Sequence, residues 1–254
     1  MAKIFNPERS DQFATENEKK GAKLMKKVFR TCSIAVCLMF VMSAFGAVET
    51  RAQVLNEILN RMDRHYKSLA SLSASVTREK TNVQLKETDR YQGSLLLLPK
   101  KGKALSLRLD WIKPKREVLS VVNGRYVAYI PAIKRAYTGS SASKTANDKG
   151  SNVLSVMSMS KDQLKANYTV QYLGEEKIAG GVPTWRLKLT PKTAAQYKYA
   201  ELWVDGNGMP LQGKVVALND DTDTFLLQTL LKNKKIKGSV FAVKIPKGTE
   251  VLAE

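Results

Sequence analysis

The 254-residue sequence predicts an α+β fold: one antiparallel sheet with helices gathered on one face. Three observations carry this. About ten or eleven segments alternate apolar and polar residues with the period of a half-buried strand. Asn123-Gly124, Gly180-Gly181 and Asp205-Gly206-Asn207-Gly208 are turn sequences at hairpin spacing. Only two stretches of the exported portion keep a helical period.

The first fifty-two residues stand apart from the fold. Met1 to Lys23 is polar and has no hydrophobic period. A basic segment from Met25 to Arg30 and an apolar run from Ser33 to Ala47 then have the layout of a cleavable signal peptide, with cleavage after Gly46 or Ala52. The run is short of the roughly 20 residues of a spanning helix. Met25 sits where such a peptide would start, so residues 1–24 read as an over-extended start or a long basic region. Cys32 and Cys37 both lie inside the signal, and Val36 is too bulky for a lipid-attachment box at Cys37. The exported chain, 53–254, is expected to be a single periplasmic domain without disulfides or thiolate metal sites.

The formal charge of the whole chain is +19, and losing the nine basic and five acidic side chains of residues 1–52 leaves +15. In an exported protein that balance favours anionic lipid head groups or an acidic partner over nucleic acid. The lysines are dispersed and are not interleaved with exposed aromatics, so a solvated outer face is the plain alternative.

Taken in order, Val54 to Ala70 is an amphipathic helix with Leu55, Ile58, Leu59, Met62, Tyr66 and Leu69 on one stripe. His65, the single histidine, lies beside that stripe as a boundary residue. Ser71 to Lys80 and Tyr91 to Leu98 are the first two strands, closed by Pro99-Lys100-Lys101-Gly102. A meander comes next: Leu105, Leu107, Leu109 and Trp111 share a face opposite Ser106, Arg108 and Asp110, then Val118 to Val122 and Tyr126 to Ile130 flank the Asn-Gly turn. Gly139 to Asn152 is a loop. Val153 to Ala166 is a helix carrying Leu154, Val156, Met157, Met159 and Leu164, either core packing or an adaptable methionine-bearing lid. The remaining strands contain Tyr168 to Tyr172, Trp185 to Leu189, Leu202 to Val204, Lys214 to Leu218, Phe225 to Leu231 and Ser239 to Ile245, the last with Phe241, Val243 and Ile245 on one side.

Catalytic chemistry is scarce. The exported chain has one histidine and no cysteine. Asp220-Asp221-Thr222-Asp223 lacks the glycine and distal glutamate of a calcium loop and reads as a turn, and Gly206-Asn207-Gly208 is a hairpin, not a phosphate cradle. No catalytic residue, metal or cofactor is expected. What the chain does have is more apolar strand face than two helices cover. Either the sheet curls into an incomplete barrel around a cavity suited to an acyl chain, or these side chains fill one another.

In order, the segments LASLSASV, YQGSLLL, RLDWIKP, VVNGRYVAYIP, YTVQYLG, WRLKLTPK, ELWVDGNGMPLQGKVV and LLKNKKIKGSVFAVKIPKGTEV, spread over 53–254, resemble the periplasmic outer-membrane lipoprotein carriers, the LolA-like family. The resemblance implies a half-open barrel with helices lidding the concave face. It also implies a monomeric carrier that takes acylated lipoprotein or another lipid from an inner-membrane release complex to an outer-membrane acceptor, with transient membrane contact. Carried over by position, it makes Leu107, Leu109, Trp111, Tyr129, Trp185, Leu187, Leu202 and Val204 cavity wall, to which the lid residues Leu154 and Met157 and the last-strand Phe241 are added. Where the family tends to carry an arginine before the RLDW-like strand, this chain has Pro99-Lys100-Lys101-Gly102-Lys103. A lipid-sensing regulatory module on the same scaffold is the alternative.

Overall fold

A computed structural model describes residues 51–99, 105–143 and 151–253. Most of the predicted signal peptide, the lysines at 100, 101 and 103, and half of the predicted 139–152 loop therefore lie outside the described residues. The chain divides into two units, 1–53 and 54–254, and the sheet belongs to the second.

Residues 51–68 are helical (α1) and bury Ile58, Leu59 and Met62. The expected end at Ala70 falls two residues earlier. The Asn233 side chain ends the helix there, its amide donating to the Ser68 carbonyl at 3.2 Å and its oxygen accepting from the Ala70 N–H at 2.7 Å. The first six strands are β1 (Leu72–Asn82), β2 (Glu87–Leu98), β3 (Ser106–Lys113), β4 (Glu117–Val122), β5 (Arg125–Ile130) and β6 (Arg135–Ser140). Two helices come next, α2 (Ser151–Met157) and α3 (Lys161–Asn167). Then come β7 (Tyr168–Ile178), β8 (Val182–Pro191), β9 (Tyr197–Val204), β10 (Pro210–Ala217), β11 (Thr222–Lys232) and β12 (Glu250–Ala253).

All twelve described strands form one sheet in the order β12-β6-β5-β4-β3-β2-β1-β11-β10-β9-β8-β7. It is open, with β12 and β7 at its edges, and antiparallel except where β12 lies parallel to β6. The predicted Ser106-to-Pro131 meander is the β3-β4-β5 stretch of this sheet.

Cross-strand register gathers the apolar residues onto one face. Ala128, Leu119, Leu109, Leu95 and Ala74 form one row across β5, β4, β3, β2 and β1. Tyr91, Arg78, Phe225, Gly213, Leu202, Leu187 and Tyr172 form another across β2, β1, β11, β10, β9, β8 and β7. Together the rows cross ten strands. Helix α2 packs on β9, β10 and β11, while α3 contacts β7.

Three expectations change. The predicted helix from Val153 to Ala166 is two helices, because Ser160 starts a new one through a reciprocal capping box with Gln163. The predicted loop begins later, since Gly139 and Ser140 pair with Tyr126 and Arg125. The predicted strand Ser239 to Ile245 is a 3-10 helix, Gly238–Phe241, followed by irregular chain. Its carbonyls are taken by side chains instead of a strand neighbour: Ser120 Oγ donates to the Phe241 oxygen and Arg108 Nη1 to the Val240 oxygen at 2.8 Å.

Candidate lipid-binding site

The apolar face carries most of the expected wall. Leu107, Leu109, Leu187, Leu202 and Val204 are all but fully buried on it, and the half-buried Trp185 lies opposite Val204. Trp111 is buried beside Tyr91 and Phe225, with ring centroids 5.6 and 5.9 Å apart. The same cluster holds Arg78, whose guanidinium lies 5.4 Å from the Tyr91 ring centre and 5.3 Å from that of Phe225. Arg78 also bonds both carboxylate oxygens of Asp223 at 2.8 and 2.7 Å. Asp223, read from sequence as turn, is thus a strand residue that neutralises a buried cation.

Two of the proposed wall residues belong elsewhere. Tyr129 follows Ala128 in β5 and is paired with Val118, which is itself opposite Asp110, so it lies on the outer face and borders a groove with Arg108, Asp110 and Val240. Tyr126 is the aromatic of β5 that turns inward, fully buried. A shift of one residue along a strand exchanges faces, which is why a motif match placed the wrong tyrosine. Phe241 is buried too, but beside Ser120 and Arg108, whose side chains leave the sheet on the side opposite Leu107, Leu109 and Leu119.

The apolar face encloses a cavity of about 50 Å³ beneath α2, bounded by α1, β1, β2, β11 and the β9–β10 turn. Leu154 and Met157 of the expected set line it, with Leu72, Leu95 and Leu97 from the sheet. Met62, Met159 and Met209 join Met157, giving four thioethers around one small space. Such side chains adapt their shape at little cost. Leu107, Leu109, Trp111, Trp185, Leu187, Leu202 and Val204 lie on the sheet face without bordering this cavity. The contribution of α1 and the residue after it, Met62, His65, Tyr66 and Leu69, was visible in sequence as a stripe and its neighbours. Which stripe residues meet a void depends on the facing elements.

Two glycines set how closely the helices approach. A β-carbon at Gly208, whose φ is +86°, would stand 2.3 Å from the Arg61 backbone carbon and oxygen of α1. At Gly213 it would stand 2.7 Å from Met157 Cγ and 3.1 Å from Val153 Cγ1 of α2. Arg61 adds a tie of its own, donating to the Gly206 oxygen at 2.9 Å while its guanidinium lies 5.2 Å from the Trp185 ring centre.

His65 is one of the polar residues of the wall. Its Nε2 is shut off from solvent and has no hydrogen-bond partner among the described residues. Burial pushes its titration below 6.5, the positive charge of Lys232 pushes it further, and Asp205 opposes both.

Among known proteins, the chain is similar to a LolA superfamily protein from Nitrosomonas europaea, at 12% identity over 74% of this chain and 97% of that one, with a TM-score of 0.41. It is similar to a putative outer membrane lipoprotein-sorting protein domain from Vibrio parahaemolyticus, at 15% identity over 76% and 96%, with a TM-score of 0.43. The Pseudomonas aeruginosa MucA/MucB complex structure gives 17% identity over 74% of this chain but only 60% of that one, with a TM-score of 0.44. No curated protein matches the sequence. A family model described as "uncharacterized protein"-like matches residues 117–245, from the start of β4 to the chain beyond the 3-10 helix. Since that is just over half of the sequence, the chain belongs to this family.

Proposed function

We propose that the protein is a non-enzymatic periplasmic carrier that holds the acyl chains of a lipoprotein, or a related lipid, between the apolar face of the sheet and α2. The observation that carries this reading is the methionine-rich cavity beneath α2, set against an apolar face that runs across ten strands. At about 50 Å³ it is far below the roughly 300–1,000 Å³ of a ligand-holding pocket, so loading requires α2 to move away from β10. The break at Ser158-Met159 before the Ser160 cap supplies one hinge for that movement. Each methylene taken in would contribute about 0.8 kcal/mol, enough in sum to offset the packing lost when α2 lifts. The ordered LolA-like segments over 53–254 support the same reading and motivate the route from an inner-membrane release complex to an outer-membrane acceptor.

Native mass spectrometry of the protein incubated with a dipalmitoylated lipopeptide tests it. A one-to-one adduct is expected, with release when acceptor vesicles are added. Met159→Trp, which fills the cavity from a half-buried position, should cut uptake while leaving cooperative unfolding intact. Absence of any adduct in the wild type would remove the carrier reading. Loading followed by stable retention beside vesicles would favour a sensor on the same scaffold.

A further inference from the structure

We propose that His65 is the polar seat of this cavity, its Nε2–H donating to a carboxyl oxygen at the head of the bound acyl chain. The proposal rests on the acyl-binding reading and adds which end of the ligand enters next to α1. Of the buried side-chain nitrogens and oxygens without a partner among the described residues, only Nε2 of His65 belongs to a residue that lines the cavity. The nearby hydroxyl of Ser158 is committed to the Leu154 and Ser155 carbonyls. A water there would find few polar partners in a wall built mainly of Leu, Met and Pro, whereas buried waters need two to four. A carboxyl group fits better, because its oxygen takes the N–H while its chain continues along the apolar lining.

The charges around the ring agree. The half-buried Lys232, at the end of β11, acts on the imidazole through its positive charge and would attract an anionic head group. Asp205 also acts on the ring, but one of its carboxylate oxygens is held by the Asn207 and Met209 N–H groups at 2.9 and 2.8 Å. The shared chemistry is a carboxyl oxygen, whether of a free fatty acid or of a lipid ester.

Competition against N-phenyl-1-naphthylamine, an apolar fluorescent probe, by dodecanoic acid, methyl dodecanoate and dodecane tests the assignment in the full-length protein. The acid is expected to displace the probe at about tenfold lower concentration than dodecane, the effect of one hydrogen bond to a charged group. His65→Leu should abolish that preference, read within each variant as the ratio of the acid and dodecane displacement midpoints, and His65→Asn, which keeps an N–H, should restore part of it. Loss confined to the acid identifies a free carboxylate as the ligand head, while loss for acid and ester together identifies the carboxyl oxygen of either source. Equal displacement curves for wild type and His65→Leu, with probe binding intact, would overturn the proposal. Failure of the wild type to bind the probe would instead overturn the acyl-binding reading, and the proposal with it.

Discussion

At the scale of single residues, His65 of α1 and the buried Arg78–Asp223 pair make the sharpest predictions. His65 titrates below its ordinary 6.5 because its ring is half-buried and near Lys232. Its stability contribution is therefore fully present above pH 6.5 and is lost as the pH falls from there through the folded-state value. Urea midpoints measured from pH 7.5 to 5 should decline in the wild type, and the His65→Asn variant should lose that component of the decline. Arg78 and Asp223 form the other case, with side chains only 4% and 14% exposed. Removing one partner strands a buried charge, so Asp223→Ala should cost about 3–5 kcal/mol in chemical denaturation. The pair was not legible as a pair: Arg78 and Asp223 lie 145 residues apart, and only the β1–β11 register brings them together. Tyr126 and Tyr129 teach a related lesson, since alternation gives two faces but does not say which is inward.

At the scale of elements, short-range signals decided where helices begin, and long-range contacts decided where they stop and how they seat. The Ser160-Lys161-Asp162-Gln163 box is a sequence signature that splits 153–166 into α2 and α3, despite the nearly continuous helical spacing. Ser160→Ala should weaken α3 by about 1 kcal/mol, visible as faster amide exchange across 161–167. The end of α1 depends on Asn233, which no local pattern announces. Helix seating depends on the two glycines. Gly208→Ala forces a left-handed alanine into the α1 backbone and should cost roughly 1–3 kcal/mol. Gly213→Ala meets the flexible Met157 side chain and the stiffer Val153, so a smaller cost is expected, together with a looser α2 and faster ligand uptake.

At the scale of the molecule, the proposed loading needs α2 to lift from the open sheet. In a variant with Cys32 and Cys37 changed to serine, a disulfide between Gly213→Cys and Met157→Cys would pin α2 to β10 where Met157 packs on Gly213. The oxidised protein is expected to reject the acylated peptide and the reduced protein to accept it. Uptake at equal rates in both states would mean that the ligand enters by a route that leaves α2 in place.

The sequence by itself determined the fold class, the first eleven strands apart from β6, and the residues available for an apolar face, because period-two alternation and turn chemistry are local properties of the backbone. Tertiary structure decided the rest. The parallel β12–β6 pair, the outer seat of Phe241, the inward turn of Tyr126 and the cavity formed by Met62, His65 and Met157 all join segments far apart in the chain. A cavity is a difference between surfaces that approach from separate elements. No single segment carries it, and so the site emerged only when the helices were seated on the sheet.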